Sequence, residues 1–196
     1  MELFSDGVFV IVLTLLVLDL KPPEADGWAG LAAIAPGLLV HALTFLIIGG
    51  LWLGHHNMLS RVYEITFRTL VLNLFALFWI TLIPFGARIA AEHPLGQLGI
   101  GLITACRGFY GLSSTAMAAS TASRNFDDPR FRRRITWRRR YGFAISVALL
   151  AAGGLCAVSP WFGYAMVPTI FLSIALQRPL REAPGSDAAA NDSAVA

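Results

Sequence analysis

Charged side chains and cysteines are both scarce in this chain. Asp, Glu, Lys and Arg make up 14% of its 196 residues, against about 25% in an ordinary soluble domain. That shortage excludes a conventional soluble surface. The two cysteines, Cys106 and Cys156, each sit inside an apolar run and form no cluster with histidine. They exclude a disulfide framework or a Cys-based metal site and read as small buried hydrophobes. No constellation of nucleophile, base and metal ligands marks an enzyme. A basic leader is missing as well. Glu2 and Asp6 stand where a secretory signal carries Lys or Arg, and Asp19, Lys21, Pro22 and Pro23 replace small cleavage-site residues, so the first segment is expected to be retained.

What the chain has is apolar length. Hydrophobic residues account for 56% of it and mean hydropathy is +0.65, which places it in the membrane class. A spanning helix needs about 20 apolar residues, with roughly 17 as the lower limit. Segments that meet or approach this are Phe4–Leu20, Leu31–Leu53, Thr69–Ala90, Leu98–Ser120, Phe143–Val158 and Trp161–Leu176. The last two are short and joined by Ser159-Pro160, as in a tight membrane hairpin. Ala151-Ala152-Gly153-Gly154 supplies small residues for close helix approach. Trp28, Trp52, Trp79, Trp137 and Trp161 fall mostly near segment ends, as interfacial tryptophans do.

Charge then sets the orientation. Arg124, Arg130, Arg132, Arg133, Arg134, Arg138, Arg139 and Arg140 lie between segments four and five, Arg61 and Arg68 between two and three, and Arg178 and Arg181 in the tail. The other side holds Lys21 and Arg88. With an even number of spans, both termini and the arginine-rich loop 122–140 are expected to be cytoplasmic, in a cell (plasma) membrane. The net charge of +3 is therefore read as a topology signal lying on anionic lipid headgroups, not as a nucleic-acid patch. Residues 1–178 form the expected membrane domain. Residues 179–196 are too poor in apolar side chains to fold and are expected to be disordered.

The first segment rewards a reading face by face. At 100° per residue, Ile11, Thr14, Leu15 and Leu18 fall in one stripe, with Phe4 and Gly7 near it, while Ser5, Asp6 and Val12 point elsewhere. A bare carboxylate in a membrane helix costs several kcal/mol, about 2.5 or more at the centre, so Asp6 should be paired. Antiparallel threading brings His55, His56, Arg68 and Asn73 to its depth, and all four are candidate partners. On spacing alone, His55-His56 equally fits an interfacial pair marking a helix end. A zinc site is not expected, because adjacent histidines diverge on a helix and no Cys joins them. His41 with Thr44 is expected to make an ordinary interhelical hydrogen bond.

The run Phe4-Ser5-Asp6-Gly7-Val8-Phe9, followed by Ile11, Thr14 and Leu15-Leu16-Val17-Leu18, resembles the TMEM175 potassium-channel family, whose hallmark is Arg-x-x-x-Phe-Ser-Asp in the first helix. Trp52 with His55-His56, and Asn73 through Ile83-Pro84-Phe85, are similar to the family pattern. The resemblance covers the first three helices in detail and the rest in layout. The family arginine would fall just before Met1, so the chain as given carries the motif without it. The six-span layout is that of single-repeat prokaryotic members, which implies a bacterial source.

The resemblance implies an all-α integral membrane bundle of six transmembrane helices, assembled as a homotetramer with helix one lining the pore. Its constriction would fall on Ile11, Leu15 and Leu18, with a threonine position at Thr14. Phe4, Ser5 and Asp6 would hold helix one against helices two and three. The implied activity is a modestly selective potassium channel, with K+ as the permeant ion, no cofactor and no resident metal. Gly108-Phe109-Tyr110-Gly111 does not read as a carbonyl filter, since Arg107 precedes it and no re-entrant segment surrounds it. Packing is the expected role. A proton leak, a secondary transporter or a non-conducting scaffold are the alternatives. Helix one has no central Gly or Pro, and no internal repeat supports a transporter.

Overall fold

The computed structural model describes residues 1–60, 65–93, 96–122, 129–164 and 166–176, with the backbone alone at 121, 122, 129–138, 170 and 173–176. No strand occurs among the described residues. The helices are α1 (Glu2–Leu15), which continues as a 3-10 turn over Leu16–Asp19, α2 (Gly27–Leu59), α3 (Phe67–Glu92), α4 (Gln97–Ala122), α5 (Pro129–Leu155), α6 (Trp161–Tyr164) and α7 (Met166–Leu176). Counting α6 and α7 as one segment gives six among the described residues. Among the described residues, α2 and α3 are long and apolar enough to cross a membrane by that measure alone, with mean hydropathies of 2.3 and 2.1.

α1 packs against α2 and α3, and α4 joins α3 to α5. The buried residues of the first segment are Ser5, Phe9, Val12 and Leu16, steps of three and four that put them on one helix face. Phe9, Val12 and Leu16 meet Ile47, Ile48 and Leu51 of α2 and Ala76, Leu77, Ile80 and Ile83 of α3 in one core. In lipid these side chains gain little by leaving their surroundings, so close packing and polar contacts carry helix association.

Small residues set how near the helices come. A Cβ added at Gly99 would lie 2.4 Å from the backbone nitrogen of Ala90, so α3 and α4 touch backbone to backbone there. Across the next interface, Gly108 and Gly111 of α4 meet Ser146 of α5, and Gly153 meets Ala105. The glycines around Phe109-Tyr110 thus serve helix packing. Gly154, by contrast, faces open space.

The stretch expected as a loop is helical over much of its length. α5 begins at Pro129, whereas apolar length alone placed the segment from Phe143. Proline suits the first position of a helix, and arginine is a good helix former, so a polar, arginine-rich helical extension costs little. Arg124, Arg61, Arg178, Arg181 and the tail 179–196 lie outside the described residues, as do the side chains of Arg130–Arg138. The chain turns at Ser159-Pro160 as expected: the Val158 and Ser159 N–H groups donate to the Leu155 carbonyl at the end of α5, and the Phe162 and Gly163 N–H groups donate to the Ser159 and Pro160 carbonyls.

Candidate functional site at the base of the first helix

Two polar groups lie side by side where α1 begins. The inner one is buried. Asn73 of α3 donates from Nδ2 to Ser5 Oγ at 3.0 Å, and its Oδ1 lies 2.9 Å from His55 Nε2. An amide oxygen only accepts, so Nε2 carries the imidazole proton and Nδ1 is left as an acceptor. Tyr110 of α4 places its hydroxyl 3.3 Å from that Nδ1 and 3.2 Å from the Leu51 carbonyl. The Phe9 ring covers His55 at 5.4 Å between centroids. Four helices are joined in this way by neutral side chains, each satisfying a group that would otherwise be stranded away from water.

The outer group is partly exposed. Trp52 donates its indole N–H to Asp6 Oδ1 at 2.8 Å. His56 Nδ1 lies 3.3 Å from Asp6 Oδ2 and 3.4 Å from Glu2 Oε1. The Trp52 and His56 rings pack together with centroids 5.5 Å apart.

Of the four partners expected for Asp6, His56 alone among them meets it. His55 and Asn73 belong to the Ser5 group, because consecutive side chains on α2 diverge by 100° and only one of the two histidines turns inward. Arg68 is exposed at the start of α3 and makes no ion pair with a described residue. Phe4 is exposed and stands outside both groups. Sequence reasoning missed Trp52 as the donor to Asp6, Glu2 as its neighbour one turn earlier, and Tyr110 as the fourth member of the inner group. The signal for Trp52 was its spacing, one turn before His55-His56 on α2; nothing local pointed to Tyr110.

The opposite end of α1 carries an exposed set of charges. Lys21 pairs with Glu92 at 3.0 Å, and Arg88 lies 3.8 Å from Glu92 and 4.0 Å from Asp19. The expected interhelical hydrogen bond from His41 and Thr44 of α2 is not seen among the described residues: Thr44 donates to the Val40 carbonyl of its own helix at 2.7 Å, and His41 Nδ1 has no partner there. Arg107, buried within α4, donates to the Met166 carbonyl at 2.9 Å and also to Thr169 of α7.

A family model described as the endosomal/lysosomal potassium channel TMEM175 matches residues 1–84. A potassium channel of Streptomyces collinus is 32% identical over 195 residues, an alignment spanning 86% of this chain and 93% of that protein. The chain belongs to the TMEM175 family. A potassium channel of a Chryseobacterium species is 39% identical over 108 residues, 53% of this chain and 56% of that relative. The chain therefore spans little more than half of one curated relative and nearly all of another. The crystal structure of a lysosomal potassium-selective TMEM175 homolog from Chamaesiphon minutus superposes with a TM-score of 0.77 over 90% of this chain and 96% of that one. At 23% identity it shows the shared fold. As a TMEM175-family chain, this is a membrane protein.

In this family member the two faces of α1 differ sharply. Ile11, Leu15 and Leu18 are 57%, 48% and 76% exposed, with Val10 and Val17 exposed to one side of them, while Phe9, Val12 and Leu16 are buried. Thr14, also exposed, donates its hydroxyl proton to the Ile11 carbonyl at 2.9 Å. Its oxygen accepts no hydrogen bond from a described residue.

Proposed function

We propose that this chain is a modestly potassium-selective channel in which four copies surround a pore lined by α1. The observation that carries the reading is the bare stripe of Ile11, Thr14, Leu15 and Leu18 on a helix whose other face is packed. One stripe cannot enclose a pore, and rotational symmetry about it can. Rings of Ile11, Leu15 and Leu18 would form an apolar constriction, which resists wetting and so gates and narrows the path. Thr14 would offer an acceptor oxygen in place of part of the hydration shell of K+, the permeant ion and sole cargo required. The names of the Streptomyces and Chryseobacterium relatives support the same activity.

Ser5, Asp6, His55, His56 and Asn73 then act as structural residues that seat α1 against α2 and α3. The protein sits in a plasma membrane with both ends cytoplasmic, and the arginines of α5 rest on anionic headgroups. The deciding experiment is flux from liposomes holding purified protein, with K+, Na+ and H+ gradients applied in turn. Potassium flux exceeding sodium flux supports the channel. Proton flux without potassium flux identifies a proton leak, and no flux at all leaves a scaffold.

A further inference from the structure

The outer polar group holds a contact that pairing alone leaves unbalanced. Two carboxylate oxygens approach the same nitrogen, His56 Nδ1, at 3.3 Å from Asp6 and 3.4 Å from Glu2. An imidazole nitrogen carries one proton and can donate to one of them. Both separations also exceed the roughly 2.7–3.2 Å of a good N–H···O bond. A tetrahedral ion with bonds of about 2.0–2.1 Å, as Zn2+ makes to His and carboxylate, sets neighbouring ligand atoms roughly 3.3 Å apart. The ligand atoms of Glu2, Asp6 and His56 all lie within 4.8 Å of one another.

We propose that Glu2, Asp6 and His56 form a binding site for a divalent transition-metal ion, with Zn2+ the best match to one imidazole and two carboxylates. The three side chains are partly exposed, so an ion has a way in and water can take the fourth position. Two features orient the ligands before any ion arrives. Trp52 holds Asp6 by Oδ1 at 2.8 Å, leaving Oδ2 for the ion, and packs its ring on that of His56. Such outer contacts strengthen a site by sparing it the ordering of its ligands. The imidazole favours Zn2+ over Mg2+ and Ca2+, which prefer all-oxygen shells. The divergence of His55 from His56 argued against zinc when only the two histidines were considered. That divergence instead frees His56 to meet the carboxylates of α1.

Glu2 and Asp6 belong to α1 and His56 to α2, so the ion ties the two helices together. Resting on the channel reading, the tie immobilises the pore-lining helix and lowers potassium flux. The test uses the full chain, purified and stripped with a chelator, then dialysed against ZnCl2, MgCl2 or CaCl2. Expected are one saturably bound Zn2+ per chain, affinity at least about tenfold above that for Mg2+ or Ca2+, and a raised unfolding midpoint with ZnCl2. Glu2→Gln and His56→Gln should each weaken Zn2+ binding on the order of tenfold or more and abolish the midpoint shift. Both should keep cooperative unfolding without metal, and His93→Gln, at the far end of α3, should bind as the unaltered chain does. Absence of saturable binding by the folded chain overturns the site, as does binding that survives both substitutions. Liposome flux measured in parallel separates the two readings. Zinc binding without any potassium flux sinks the channel and leaves the site standing, whereas flux without zinc binding does the reverse.

Discussion

Trp52 of α2 donates its indole N–H to the Asp6 carboxylate of α1 across 2.8 Å, 46 residues apart in sequence. The bond explains how a carboxylate is tolerated at the head of an apolar helix. One oxygen takes a neutral donor, the other faces His56, and the group keeps partial access to solvent. Charge-assisted bonds of this kind are roughly twice as strong as neutral ones.

Asp6→Asn should preserve the shape and the bond from Trp52 while losing the charge that faces His56. The expected result is a lower yield of assembled protein, with destabilisation of about 1–2 kcal/mol, and an unchanged K+/Na+ ratio. Size-exclusion profiles alongside liposome flux would show it. Normal assembly with a lost potassium preference would move Asp6 into the permeation path.

Asn73→Ala should be more damaging than Asp6→Asn. Asn73 is buried and serves both Ser5 and His55, so its removal strands two groups at about 1–3 kcal/mol each. Tyr110→Phe removes one hydroxyl from the same group and should cost only about 1 kcal/mol. Thermal unfolding in detergent would rank the two; the reverse order would mean that His55 is held mainly by Tyr110.

On the exposed stripe, Ile11→Asn should wet the constriction, raise flux several-fold and reduce selectivity. Thr14→Val should lower flux or selectivity without altering assembly. Val12 points away from the stripe but is only 5% exposed, so Val12→Asn would strand an amide in the core and is a poor control. Val10, exposed and to one side of the stripe, is the better one. Flux raised by Val10→Asn and untouched by Ile11→Asn would mean that a different face of α1 lines the pore.

Glycines in the bundle should divide by surroundings. A Cβ at Gly99 would sit 2.4 Å from the backbone of Ala90, whereas one at Gly154 meets nothing within 4 Å. Gly99→Ala should cost about 1–3 kcal/mol through overpacking, and Gly154→Ala should be neutral or slightly stabilising. Equal unfolding midpoints for the two variants would rule out the close α3–α4 contact.

Much of the architecture follows from the sequence alone because it depends on local physics. Apolar length locates the helices, and the 3.6-residue period separates Ile11, Thr14, Leu15 and Leu18 from the packed face of α1. The desolvation cost of Asp6 demands partners at its own depth. Apolar length fails at Pro129–Arg140, where a helix needs backbone hydrogen bonds and good helix formers but no hydrophobicity. The choice of partners was decided by the tertiary structure. His55 and His56 are neighbours in sequence, yet the rotation of α2 sends one to Asn73 and Tyr110 and the other to Asp6 and Glu2. Trp52 rather than Arg68 reaches Asp6 because α2, not the start of α3, lies against that face. Helix period sets which residues share a face. Which faces meet, and at what height, depends on rotations and offsets between helices far apart in the chain, and close contacts such as Gly99 on Ala90 set these.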